Sequence, residues 1–207
     1  MIDGVARRWL EPGLDRSGRW LARRGVRADH VTVAACVAGL CAAALIAAGY
    51  MITGLVVIVL SRVGDGLDGA VARATRKTDF GGYLDITLDF VFYGALPFGF
   101  VLFDPAANGL AGAALILSFY INGASFLAYA ILAEKRKLTT TQRGSKSIYF
   151  TTGLAEAGET FAAFALFCLF PGWFPLLAWI FAAICLYTAI SRIVEARAAF
   201  GEGGSEA

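Results

Sequence analysis

Residues 61–89 read SRVGDGLDGAVARATRKTDFGGYLDITLD. Four carboxylates, Asp65, Asp68, Asp85 and Asp89, interrupt sequence that is apolar on both sides, Met51–Leu60 before them and Phe90–Phe103 after. The spacing is i,i+3 in the first pair and i,i+4 in the second, which on helices sets each pair on one face. Ionised side chains inside membrane-length apolar sequence are costly and by default mark a functional site. Ala74–Phe80 carries Arg76, Lys77 and Asp79 and predicts a short polar turn. An antiparallel helical pair joined there brings the four carboxylates to similar depth.

Four facing carboxylates repel one another strongly unless cations lie between them. Hard oxygen ligands select Mg²⁺ or Mn²⁺, and two-ion sites clamp the oxygens of a transferring phosphoryl group. At about 100° per residue, Asp65, Gly69 and Ala72 share one stripe, with Asp68 and Arg73 flanking it within roughly 140°. Gly69 and Ala72 leave room for a ligand on that face, and Arg73 offers a fork that matches phosphate.

The pattern Asp65-x-x-Asp68-Gly69-x-x-Ala72-Arg73, seven residues, then Gly81-x-x-x-Asp85-x-x-x-Asp89 resembles the signature of the CDP-alcohol phosphotransferases, the CDP-alcohol phosphatidyltransferase family, with eight fixed positions in order. The family's pattern often has eight residues in the gap; Thr78-x-Phe80-Gly81 still fits. Upstream, where the family often carries Pro-Asn/Asp-x-Val-Thr, this chain has Ala28, Asp29, His30, Val31 and Thr32. The resemblance covers about residues 28–90 well, and residues 91–207 only in span number. It implies that Asp65, Asp68, Asp85 and Asp89 hold two divalent ions, Mg²⁺ or Mn²⁺, and that Asp89 also serves as general base. It further implies that Gly69, Ala72, Arg73, Thr78 and Gly81 attend the CDP part of a CDP-linked lipid, that Asp29, His30 and Thr32 line the nucleotide pocket, and that the protein is a homodimer.

Composition agrees with a membrane protein. The chain has 207 residues, 58% of them hydrophobic, with a mean hydropathy of +0.66, which excludes an ordinary soluble domain. Net charge is only +2, and no nucleic-acid partner is expected. The four cysteines, Cys36, Cys41, Cys168 and Cys185, lack metal-ligand spacing and read as small packing residues without a disulfide. The first thirty residues are charged, without the compact apolar core of a cleavable signal peptide.

The expected fold is an all-α integral membrane protein with six transmembrane helices and an N-terminal amphipathic interfacial helix. Residues 1–27 form the juxtamembrane segment, broken near Pro12-Gly13, either as an anchor to anionic lipid or as a gate. Residues 28–200 form the six-helix domain, with spans near Val31–Tyr50, Met51–Arg73, Gly82–Phe103, Gly109–Ala133, Tyr149–Phe170 and Phe174–Val194. Asp29 is expected to cap the first span, and Asp104–Asn108 to be a loop. Residues 201–207 read as a disordered tail. The segments 1–30, 74–80, 134–148 and 192–207 carry nearly all the Lys and Arg, and 104–108 and 171–175 carry none. Both termini and the carboxylate site therefore face the cytoplasm by the positive-inside rule, in a cell (inner) membrane.

Several charged positions admit two readings. Arg62, one turn before Asp65, either pairs with a carboxylate or reaches the diphosphate. Lys135, Arg143 and Lys146 in the stretch EKRKLTTTQRGSKS (134–147) form either an ordinary cytoplasmic loop or a phosphate cradle for a charged acceptor. Glu156 and Glu159 form a structural ion pair or bind acceptor hydroxyls. Asn122, Ser118 and Ser125 read as interhelical glue. The expected reaction moves a phosphatidyl group from CDP-diacylglycerol to an alcohol, releasing CMP. The basic loop favours a phosphorylated acceptor such as glycerol 3-phosphate; inositol phosphate, serine, a choline-type alcohol or another lipid is the alternative. A cation- or proton-coupled transporter also uses intramembrane carboxylates, but the inverted repeat such proteins often show is missing.

Overall fold

α2 (Ala28–Ala47) is the helix that joins the two carrying the carboxylates. It packs along both α3 (Met51–Ala74) and α4 (Asp79–Phe103), whereas α3 and α4 make no comparable contact with each other. The computed structural model describes residues 2–136 and 157–201. The remaining helices are α1 (Ile2–Arg23), α5 (Pro105–Lys135), α6 (Ala157–Leu169) and α7 (Phe174–Phe200), with a 3₁₀ turn at Pro171–Trp173. No strand occurs among the described residues.

Small residues explain the central place of α2. A Cβ on Gly99 of α4 would lie 2.6 Å from the Ala43 carbonyl oxygen, and one on Gly64 of α3 would lie 3.1 Å from the Ala35 methyl. Such approach of backbones replaces the hydrophobic drive that lipid removes. The turn that follows α2 contains Gly49, whose φ of 87° only glycine adopts without cost. The Tyr50 N–H reaches back to the Leu45 carbonyl there, closing a C-terminal cap.

At the opposite end of α4 lies an aromatic core. Phe92, Phe100, Phe164, Phe167 and Phe174 are fully buried, and Phe100 stacks on Phe174 with ring centroids 4.6 Å apart. Outward positions are large and apolar: Leu110, Leu117, Ile131, Ile180 and Ile190 are all at least half exposed. Small side chains inside and large apolar ones outside suit lipid as solvent, not water.

Four described helical stretches are long and apolar enough to cross a membrane: Ala28–Ala47, Asp79–Phe103, Pro105–Lys135 and Pro171–Phe200. The expected six are not all met on this measure. α3 has 24 residues but carries Arg62, Asp65, Asp68 and Arg73. The described part of the fifth expected span is the 13-residue α6. Other boundaries also differ. α1 runs unbroken through Pro12, because a proline removes one rung of the ladder while its neighbours persist. Asp29 is not the cap of α2: Arg27 holds the extended N-cap position, and Asp29 lies in the first turn, where a carboxylate favours the helix dipole. The expected 104–108 loop is a single residue. Asp104 accepts the Ala107 N–H at 3.0 Å, and Pro105 starts α5 at once. The cysteines form no disulfide, although Cys41 is exposed rather than packed.

Candidate active site

The polar end of the bundle is built where α2 wedges α3 and α4 apart. Carboxylate oxygens of Asp65, Asp68 and Asp85 lie within 4.8 Å of one another, two from α3 and one from α4. Asp68 is buried, and its Oδ2 has no hydrogen-bond partner. An unpartnered buried carboxylate oxygen is costly, and a cation shared by the three groups satisfies it. The donor set is all oxygen, which fits Mg²⁺ or Mn²⁺.

Asp89 stands apart from this trio. Its Oδ1 accepts from Arg62 Nη1 at 2.7 Å, and the same nitrogen lies 3.4 Å from Asp65 Oδ1. Of the two readings for Arg62, pairing with a carboxylate is the one present here.

Beside the carboxylates opens a cavity of about 530 Å³ between the ends of α1 and α2, the C-terminal half of α3 and the start of α4. Gly69, Ala72, Arg73, Thr78 and Gly81 line it, and so do Asp29 and Thr32. Thr78 is also the N-cap of α4, its Oγ1 accepting the Gly81 N–H at 3.0 Å. Glycine at 81 has a steric reason, since a Cβ there would lie 2.9 Å from that hydroxyl and 3.4 Å from Asp29 Oδ1. The Arg73 guanidinium folds back over α3 beside Gly69, with Nη1 3.4 Å from where a Cβ would be.

His30 is the exception among the expected nucleotide contacts. It is exposed and does not line the cavity. One residue beyond Asp29, it is turned about 100° around α2 from the lining face. Sequence reasoning missed the cavity's cationic rim of Arg27, Arg76 and Lys77. The turn 74–80 signals only polarity, and Arg27 ion-pairs with Asp29 at 2.7 Å. A contact across helices was also missed. Arg73 Nη2 meets Asp15 Oδ1 of α1 at 2.7 Å. α1 reaches that point because Gly18 seats on Ala70 and Leu14 lies over Gly66.

The expected acceptor residues are only partly placed. Lys135 is exposed at the end of α5, and Glu159 is half-buried in the first turn of α6. Arg143, Lys146 and Glu156 lie outside the described residues. Asn122 and Ser125 do join helices: Arg192 Nη1 of α7 donates to Asn122 Oδ1 at 3.0 Å and to Ser125 Oγ at 2.7 Å. Ser118 donates to Leu115 O of its own helix at 2.7 Å and also hydrogen-bonds Cys185 of α7.

The profile of the CDP-alcohol phosphatidyltransferase family matches residues 26–190, which contain the trio, Asp89 and most of the cavity lining. The chain belongs to that family. It is therefore a transferase of substituted phosphate groups, and the family's use of divalent metal agrees with the carboxylate trio. Among its relatives, the Escherichia coli inner membrane protein YnjF is 44% identical over 93% of this chain and 94% of its own length. The phosphatidylinositol phosphate synthase of Streptomyces avermitilis is 30% identical over 95% of this chain and 83% of its own. The fold is similar to that of Mycobacterium tuberculosis phosphatidylinositol phosphate synthase with CDP-DAG bound, at a TM-score of 0.72 and 20% identity, covering 94% of this chain and 97% of that one. The same enzyme in complex with manganese and citrate gives a TM-score of 0.70 at 22% identity, covering 94% and 92% of the two chains.

Proposed function

We propose that this transferase moves a phosphatidyl group from CDP-diacylglycerol to the hydroxyl of a phosphorylated polyol, with inositol phosphate as the acceptor, and releases CMP. The observation that carries the reaction class is the carboxylate trio opening onto a cavity lined by the motif residues. The acceptor rests on the Streptomyces relative, which is named a phosphatidylinositol phosphate synthase, and replaces the glycerol 3-phosphate favoured from the basic loop alone.

In this reading Asp65, Asp68, Asp85 and Asp89 hold two divalent ions, which when bound neutralise diphosphate charge and stabilise the leaving oxygen. The chain's own residues do the rest. The cytidine end of the donor lies in the cavity against Asp29, Thr32 and the Thr78–Gly81 turn, while its acyl chains remain in lipid. Arg73 turns from Asp15 toward the diphosphate and binds it through its planar fork. Asp89 accepts the proton of the acceptor hydroxyl. That oxygen bonds to the β-phosphorus, the bond to the CMP oxygen breaks, and CMP departs with the negative charge. Lys135, Arg143 and Lys146 bind the acceptor's phosphate, and Glu156 and Glu159 its hydroxyls.

The membrane arrangement belongs to the same proposal. α3 and the fifth expected span, of which α6 is the described part, complete six spans, both termini are cytoplasmic in the inner membrane, the site faces the cytoplasm, and the protein is a homodimer. Charge supports the orientation, because Arg27, Arg73, Arg76 and Lys77 all gather at the cavity end.

The test is CMP release by purified protein given CDP-diacylglycerol and Mg²⁺ or Mn²⁺ with a panel of acceptors. Inositol phosphate is expected to support release and glycerol 3-phosphate not. Release with a different acceptor would correct the substrate alone; none with any acceptor, and no CDP-lipid binding, would remove the enzymatic reading.

A further inference from the structure

Arg62 is the one cation the fold itself places among the described motif carboxylates, and its surroundings hold it rigidly. Its side chain is 11% exposed. The guanidinium carbon sits 3.7 Å from the centre of the Phe92 ring, on α4, a favourable cation–π distance. Nη2 donates to Ser61 Oγ at 3.3 Å, and Ser61 Oγ is itself fixed to the Ala35 carbonyl of α2 at 2.7 Å. Nη1 bridges Asp89 of α4 and Asp65 of α3 at 2.7 and 3.4 Å. Nε is buried with no partner, so the side chain accepts an unmet donor to keep Nη1 where it is. α3 and α4 scarcely pack together, which makes this guanidinium the main tie between them at this depth.

We infer that Arg62 is a positioning residue that occupies the gap between Asp65 and Asp89 as a built-in cation, making the two ion positions unequal. The first divalent ion enters the Asp65–Asp68–Asp85 trio, which the guanidinium touches only at Asp65 and at the longer distance of 3.4 Å. The second, which needs Asp89, must displace the guanidinium from both carboxylates. Until it does, Asp89 stays aimed across the cleft instead of being driven off by Asp65. The proposal rests on the reading that these carboxylates hold metal, and it assigns Arg62 no contact with substrate.

The experiment is a Mn²⁺ titration of the detergent-purified protein without lipid substrate, followed by electron paramagnetic resonance, on wild type, Arg62→Gln and Arg62→Lys. Wild type is expected to bind one ion at least about tenfold more tightly than a second. Arg62→Gln is expected to tighten the second ion by about tenfold and leave the first unchanged. Arg62→Lys keeps the charge but loses the fork, and is expected to tighten it by a smaller factor. Thermal unfolding gives an independent readout: saturating Mn²⁺ should raise the melting temperature of Arg62→Gln more than that of wild type, because ligand binding adds to folded-state stability. If Arg62→Gln cannot be purified, Arg62→Lys alone decides. Two equal ions in wild type, or a second-ion affinity that neither variant tightens, overturns the proposal while leaving the metal reading intact. Failure of wild type to bind any Mn²⁺ overturns the metal reading and this proposal with it.

Discussion

The two ends of α4 make opposite uses of burial. Around Phe100 the helix meets Phe167 and Phe174 in close aromatic contact, every ring fully buried. Around Asp85 and Asp89 it faces a cleft where like charges approach within a few ångströms and a buried carboxylate oxygen lacks a partner. The first end stabilises the fold; the second opposes it and is held in place by the first, by the α2 glycine contacts and by Arg62. The candidate site opens onto a cavity, as it must, since a close-packed carboxylate cluster could take neither an ion nor a diphosphate.

Substitutions should separate the two ends. The largest effect is expected for Asp89→Asn, which should lower the rate of CMP release by about 10²–10⁴-fold, the usual contribution of a general base. Substantial turnover would remove the assigned base role. Phe100→Ala should instead lower unfolding free energy by about 3–5 kcal/mol, seen in detergent-solubilised thermal melts, with the rate per folded molecule nearly unchanged. A large rate loss in the folded fraction would show that the two ends are not separable.

Asp85→Asn sharpens the contrast, because it should cut CMP release by about 10²–10³-fold yet stabilise the chelator-treated protein by about 1 kcal/mol by removing one repelling charge. A lower melting temperature in chelator would mean the trio is not self-repelling. Gly81→Ala should cost about 1 kcal/mol through the Thr78 cap and raise the KM for the CDP-lipid, as a kinetic titration would show. The smallest effect is expected for Asp15→Asn. The Asp15–Arg73 pair is more than a third exposed on both sides, so stability should change by less than about 1 kcal/mol. A larger shift would show that α1 is clamped to α3 more firmly than an exposed pair allows.

Much of the site is legible in the sequence because its chemistry is local. The spacing of Asp65, Asp68, Gly69, Ala72 and Arg73 lies within three turns of one helix, so periodicity alone sets those side chains on adjoining faces. Thr78, three residues before Gly81, fits a capping geometry that four residues suffice to define. Residues whose partners come from elsewhere are not legible in this way. His30 sits between Asp29 and Thr32, both of which line the cavity, and still misses it, because only the packing of α2 decides which stripe faces it. Arg62 has two possible partners until α4 is placed, and nothing near Arg73 in the chain points to Asp15, 58 positions away.

By itself, then, the sequence determined an all-helical chain with membrane-length apolar helices, carboxylates set for a shared site on two successive helices, and an arginine suited to phosphate beside them. Each follows from periodicity, hydropathy and the cost of charge in an apolar segment, which are properties of neighbouring residues. Only the tertiary structure decided that α2 separates α3 from α4, that three of the carboxylates cluster while Arg62 takes the fourth, and that α1 lays Asp15 on Arg73. Those outcomes depend on backbone approach at Gly18, Gly64 and Gly99. A glycine in sequence says only that approach is possible; the helix that arrives there is chosen by the packing of the whole bundle.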